Sequence, residues 1–150
     1  MLGAIKSFFD THIFFDESTD RKVHGVKLAA ASLLIEMMRM DDEIHPHEQQ
    51  AMMQALQNKF ALSEQETQEL VELANEELKN STDYYQFTSL INQNYEYEER
   101  VHMIELLWEV AYADRELDLE EEHLVRKVAE LIHVSHPDFI AAKLKVRDRL

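Results

Sequence analysis

The carboxylates of this chain are gathered rather than spread. Asp114-Arg115-Glu116-Leu117-Asp118-Leu119-Glu120-Glu121-Glu122 carries six carboxylates in nine positions. A second acidic stretch, Asp41-Asp42-Glu43-Ile44-His45-Pro46-His47-Glu48, lies earlier. Sliding one onto the other by 73 positions puts Leu33 on Leu106, Glu36 on Glu109, Asp41 on Asp114, Glu43 on Glu116, Ile44 on Leu117 and Glu48 on Glu121. Beyond Glu48 and Glu121 the registers match only after a one-residue shift. Hard divalent cations need several oxygen ligands held together, and carboxylates on a turn between two helices can supply them. Neither turn is an EF-hand. That loop needs glycine at its sixth position and glutamate at its twelfth. Counted from Asp114 these positions are Leu119 and Val125, and from Asp41 they are Pro46 and Met52. Any cation site here has fewer ligands per loop, and the two loops together could complete one.

Helix ends attract the same residue types without any ligand. Asp118 can cap the following helix, with Glu121 completing a capping box. Glu120, Glu121 and Glu122 fall in a first turn, where the helix dipole favours anions. Asp41 and Asp114 are not explained this way, because each follows a helix C-terminus, where negative charge is disfavoured. Cation binding and simple capping both stand at this point.

Other chemistry is poorly served. His45 and His47 could offer imidazoles to a transition metal. His47-Glu48-Gln49-Gln50-Ala51 lacks the second histidine of the zinc-protease motif. His123 and His133, ten positions apart, would lie about 80° apart on an ideal helix. His123 is expected to be a partly exposed helix residue rather than a ligand. The methionines at 37, 38, 40, 52 and 53 are at core spacing. There is no glycine-rich phosphate loop, and no nucleophile has a recognisable base. Glu36 and Glu109 recur inside otherwise apolar helices. They are either answered by lysine or arginine or directed at the acidic turns.

The elements that position these turns are helical. With two glycines and two prolines in 150 residues, and 45% hydrophobic content, an all-α protein with one core is expected. The first long helix spans about Lys22–Met40, with Val26, Ala29, Ala30, Leu33, Leu34, Met37 and Met38 covering most of its circumference. Pro46 suits the first position of a second helix running to about Phe60. Ser63-Glu64-Gln65-Glu66 is a capping box opening a third, with Leu70, Leu73, Ala74 and Leu78 on one face. A shorter fourth carries Tyr84, Phe87, Leu90 or Ile91, and Tyr95. Glu96–Ala113, almost apolar all round over its second half, is the partner of the first. Leu119–His133 is the sixth, and Ser135-His136-Pro137-Asp138 opens a seventh. About seven helices therefore form two helix–acidic turn–helix units, 22–80 and 82–148, around an approximate two-fold axis. Together they make one domain, 21–150. Residues 1–20 form an arm and linker, with Leu2–Phe9 a short aromatic helix docked on the body. Trp108 is expected to be buried where the two central helices meet.

Thirty acids against fifteen bases leave a formal charge of −15. That balance repels nucleic acid and anionic lipid and attracts cations or basic protein surfaces. Without cysteine there is no disulfide, thiol nucleophile or thiolate zinc site. No secretory signal or membrane span is legible, so a cytoplasmic location is expected, with peripheral contact with a membrane protein left open.

The segments Phe87-Thr88-Ser89-Leu90-Ile91-Asn92, Glu99-Arg100, Leu107-Trp108-Glu109-Val110-Ala111-Tyr112-Ala113-Asp114, Leu117-Asp118 and Glu121–Ala129 resemble the TerB-like proteins of bacterial tellurite resistance. The resemblance is specific from about Thr82 to Val134 and looser over Leu28 to Leu73. It implies an all-helical, internally duplicated fold, no catalysis, divalent-metal binding through the acidic turns, and a stress-response complex with a membrane protein. Similar domains occur in a DnaJ-type co-chaperone. Carried over by position, the metal-associated acids are Asp41, Glu48, Asp114 and Glu121. The family's glycine after the aspartate is replaced by Asp42 and Arg115. Arg115 brings a positive charge beside the second turn, which puts that turn in doubt more than the first.

Overall fold

The computed structural model describes residues 19–40, 46–79, 86–112 and 119–149, and the side chains of 25–38, 47, 49–73, 88–112 and 122–149. Seven helices follow one another: α1 (Thr19–Met40), α2 (Pro46–Phe60), α3 (Glu64–Lys79), α4 (Gln86–Asn94), α5 (Tyr97–Ala111), α6 (Leu119–Leu131) and α7 (His136–Arg147). There is no strand among the described residues. The expected aromatic arm and both acidic turns lie outside the described residues. No described helix is long and apolar enough to cross a membrane.

Every residue of α1 from Leu28 to Met38 is buried. A helix that is apolar all round can be satisfied only by enclosure, and α1 is packed by α2, α3, α4, α5 and α6. The polar residues in this stretch are Ser32 and Glu36, 0% and 1% exposed. The Ser32 hydroxyl donates to the Ala29 carbonyl at 2.7 Å, one turn back, so it needs no outside partner. The second central helix, α5, differs from its expected all-apolar character. Met103, Ile104, Leu106, Leu107, Trp108, Val110 and Ala111 are buried. His102, Glu105 and Glu109, at helical spacing, keep one polar stripe on its surface.

The duplication is legible in the packing. α1 packs on α2 and α3 as α5 packs on α6 and α7. α2 also reaches α5, α6 reaches α1, and α1 and α5 pack on each other. Exchanging α1 with α5, α2 with α6 and α3 with α7 leaves this set of pairs unchanged, as an approximate two-fold relation requires. α4, packed on α1, stands outside the exchange.

The same corner also closes each unit. After α2, Ala61 is left-handed at φ 53°. The next amide, Leu62 N, donates to Gln57 O at 3.1 Å. After α6, His133 has φ 60° and Val134 N donates to Ala129 O at 2.9 Å. Both are Schellman caps, and in each the following residue, Leu62 or Val134, is buried against the core. A serine then opens the next helix. Ser63 Oγ accepts from Glu66 N at 3.1 Å while Glu66 Oε1 accepts from Ser63 N at 2.9 Å, the expected capping box. Ser135 Oγ accepts from Asp138 N at 3.4 Å. Ala61 and His133 are 72 positions apart, which accounts for the one-residue shift in register after the acidic turns.

Trp108 is fully buried, and its contacts place it at the seam of α5 and α7. Its indole Nε1–H donates to Phe139 O at 3.3 Å, and the two rings lie 5.0 Å apart. The expected position, at the crossing of the central helices, is corrected to that extent.

Two outcomes follow for stability. Trp108→Ala should cost about 3–5 kcal/mol, the range for a large buried aromatic. Wild-type tryptophan emission should be blue-shifted and move red on unfolding. Native emission typical of water would contradict the burial. Ala61→Gly removes a Cβ from a left-handed position on an exposed residue, so it should stabilise by about 1 kcal/mol. A higher urea midpoint at unchanged slope would show this, and a lower midpoint would count against the corner.

Candidate metal site and its surroundings

The buried helices α1 and α5 each deliver the chain to an acidic turn, and α2 and α6 each take it away. Asp41 and Asp114, which follow the ends of α1 and α5, lie outside the described residues. Glu48 and Glu121 are placed on their helices, though not their side chains. Each is the third residue of its helix, α2 from Pro46 and α6 from Leu119. The sequence equivalence of these two glutamates is therefore also an equivalence of position. That position lies in the first turn, where the free N–H groups and the dipole favour a carboxylate. It is also the position from which a glutamate completes a capping box. Asp118, the expected cap of α6, lies outside the described residues. Pro46 occupies the first helical position, as expected. Gln49 Nε2 donates to Met38 O at 3.4 Å, tying the start of α2 to the last turn of α1.

The neighbouring acids are resolved one by one. Glu122, half-buried on the first turn of α6, meets Lys143 Nζ of α7 at 3.3 Å and Arg126 at 3.5 Å. Lys143 also stands 5.6 Å from the centroid of the Trp108 ring. Glu109 pairs with Arg149 at 3.2 Å, and Glu105 with Lys145 at 3.1 Å. Of the two recurring glutamates, Glu109 is thus answered by an arginine. Its counterpart Glu36 is enclosed in the core.

Of the described histidines, His102 meets Glu105 at 3.5 Å, one turn away on α5, and His45 lies outside the described residues. His47 and His123 are exposed. α6 ends at Leu131, so His133 sits in the left-handed corner and the expected angle between His123 and His133 does not apply. Met37, Met38 and Met52 are core residues, and Met53 packs against the core. Among the described residues no three His, Asp or Glu side chains are grouped to hold a metal. The donor set of the four acids assigned from the sequence, all carboxylate oxygen, has the chemistry of a hard divalent cation site.

Three polar contacts had no distinct sequence signal. Tyr97 at the start of α5 donates its phenol to Asp138 and accepts from Ser135 N at 3.1 Å, fastening two helix N-termini together. Asn92 Nδ2 donates to Leu131 O at 3.1 Å, and Arg100 Nη1 to Ile132 O at 2.8 Å. These side chains of α4 and α5 satisfy carbonyls at the C-terminus of α6. Burial, and after it the charge of Glu99, raises the Tyr95 phenol above its ordinary range. The Glu105–Lys145 and Glu109–Arg149 pairs were legible in part, since the acids recur four residues apart on α5 and the bases four apart at and just beyond the end of α7.

A family model described as tellurite resistance protein TerB matches residues 27–144. The match begins within α1, ends within α7, and takes in both acidic turns. No curated protein and no solved structure matches the chain. The matched span covers most of the 150 residues and every helix of the duplicated core, and the chain belongs to the TerB family.

Proposed function

We propose that this chain is a non-enzymatic TerB domain that takes a divalent cation at its acidic inter-helix turns. The same domain docks on a protein partner in a stress response of the tellurite-resistance type. The ligands are Asp41 and Glu48 in the first unit and Asp114 and Glu121 in the second. What carries this reading is the repetition of an aspartate just beyond each buried helix, one residue after Met40 and three after Ala111. A carboxylate there opposes the negative end of the helix dipole, and a bound cation relieves the conflict at both ends. Family membership and the equal placement of Glu48 and Glu121 on their helices support it. The partner is a protein, with a membrane protein fitting the family's role, and the location is the cytoplasm or its membrane periphery. The net charge of −15 supports a basic docking surface and opposes nucleic acid.

A second reading, a metal-free scaffold docking through its acidic surface, draws on a specific observation. Glu105, Glu109 and Glu122 are matched by the chain's own lysines and arginines. Calorimetric titration of chelator-treated protein with Ca²⁺, Mg²⁺, Mn²⁺ and Zn²⁺ separates the two. Saturable heat is expected from the site, and only diffuse, salt-screened heat from the scaffold.

Melting curves check the ligands. In chelator, Asp41→Asn/Asp114→Asn should be as stable as wild type or slightly more so. With cation at a hundred times the dissociation constant, wild type should gain about 2.7 kcal/mol. The double variant should lose most of that gain. An equal gain in both proteins would remove these aspartates from the site.

A further inference from the structure

Ten consecutive residues of α2, Gln49 to Asn58, carry no charge in a chain of which 30% is charged. Met52, Leu56 and Phe60 are buried on one side of this helix. His47, Gln50, Ala51, Gln54 and Asn58 recur at helical spacing on the other side and are exposed. Gln54 Nε2 donates to Asn58 Oδ1 at 3.3 Å, one turn on.

The second unit carries the same helix with a different outer face. The corners at Ala61 and His133 align α2 with α6, and the buried residues agree: Met52 with Leu124, Leu56 with Val128 and Phe60 with Ile132. The outward residues do not agree. Glu122, His123, Arg126, Lys127 and Glu130 of α6 stand where α2 has Gln50, Ala51, Gln54, Ala55 and Asn58. Packing on the core fixes the inner face of both helices and does not account for the loss of these charges from the outer face of one. α4 is also uncharged, but it has nine residues, and its exposed side chains among those described are Ser89, Gln93 and Asn94.

We infer that the outward face of α2 is a docking surface for a second copy of this chain, paired antiparallel across a two-fold axis. Depletion of charge marks the centre of a protein interface. Two copies, each at −15, repel wherever acid meets acid, and this face lets them approach without that conflict. A primary amide carries both donors and an acceptor oxygen, so a row of amides satisfies a copy of itself. A basic partner would be drawn to carboxylates, which this face lacks. A two-fold contact sets residue i on j and j on i. Centred between Met52 and Met53, it sets Gln54 opposite Ala51, Gln50 opposite Ala55 and His47 opposite Asn58. Large thus meets small at both inner pairs. One helix face offers less than the roughly 800 Å² per partner of a standard interface, so the dimer is weak and reversible. Nothing in this pairing depends on the proposed cation binding.

Sedimentation equilibrium of the full chain, from micromolar to millimolar concentration, tests it. Chelator is present throughout, so that no cation bridges the acids of two copies. Wild type should show a monomer–dimer equilibrium that strengthens as salt screens the shared negative charge. Gln54→Arg and Glu130→Gln each remove one unit of negative charge at an exposed position. Trp108 emission confirms that both are folded. In a Gln54→Arg dimer the two new cations lie about 4.5 Å apart along the helix axis. That variant should therefore dimerise at least about tenfold more weakly than wild type. Glu130→Gln, on the outward face of α6, should dimerise at least as well as wild type, and so should Leu144→Arg on the exposed side of α7. Three results would each overturn the inference: wild type monomeric at every concentration, equal dimerisation of Gln54→Arg and Glu130→Gln, or a dimer broken by Leu144→Arg and not by Gln54→Arg.

Discussion

From Leu28 to Met38, α1 has no side that tolerates water. That single fact constrains the rest of the architecture. A helix about 10 Å across cannot be covered by one neighbour, and five helices converge on it. A chain of this length reaches such coverage economically by using one packing unit twice. α5 repeats the role of α1, and each brings its own pair of flanking helices. α5 can keep its stripe of His102, Glu105 and Glu109 because it lies nearer the surface. There Lys145 of α7 and Arg149, just beyond it, meet Glu105 and Glu109. Those exposed pairs add little stability, about 0–1 kcal/mol each. The buried interlock of Trp108 with Phe139 supplies the stronger bond between the same two helices.

The acidic turns inherit their electrostatic problem from this plan. Each buried helix ends with its dipole negative, and an aspartate follows within three residues. Positive charge near that junction is favourable, from whatever source it comes. The second unit draws on its own side chains, with Lys143 seated between Glu122 and Trp108. Where the repeat aligns with Glu122, Arg126 and Lys143 the first unit has Gln49 or Gln50, Gln54 and Val71, and it carries Arg39 two residues before Asp41.

Much of the fold was legible because its signals are local. The capping box at Ser63, Pro46 at a helix start, and the wide apolar circumference of α1 each follow from a few adjacent residues. The corners at Ala61 and His133 were not legible. Left-handed caps are marked by glycine or asparagine, and this chain uses alanine and histidine. The partner of Trp108 was missed because spacing along α5 shows that the ring turns inward, not which helix it meets. Similarly, the Glu122–Lys143 pair joins residues 21 positions apart across two helices, and no periodicity announces it. At the candidate site, repetition pairs Asp41 with Asp114 and Glu48 with Glu121, and the resemblance to the TerB-like proteins singles these four out. The structure adds the equal helical positions of Glu48 and Glu121.

The central claim is that cation binding is local to a turn rather than spread over an acidic surface. Amide resonances followed during substoichiometric addition of paramagnetic Mn²⁺ test it most directly, because broadening falls steeply with distance from the ion. The account predicts broadening confined to the junctions of α1 with α2 and of α5 with α6, around Met38 to Gln49 and Tyr112 to Glu122. The exposed acids Glu64 and Glu72 of α3 and Glu98 of α5 should keep sharp neighbours. Weak broadening shared among all the acidic helices, and removed together by salt, would contradict it.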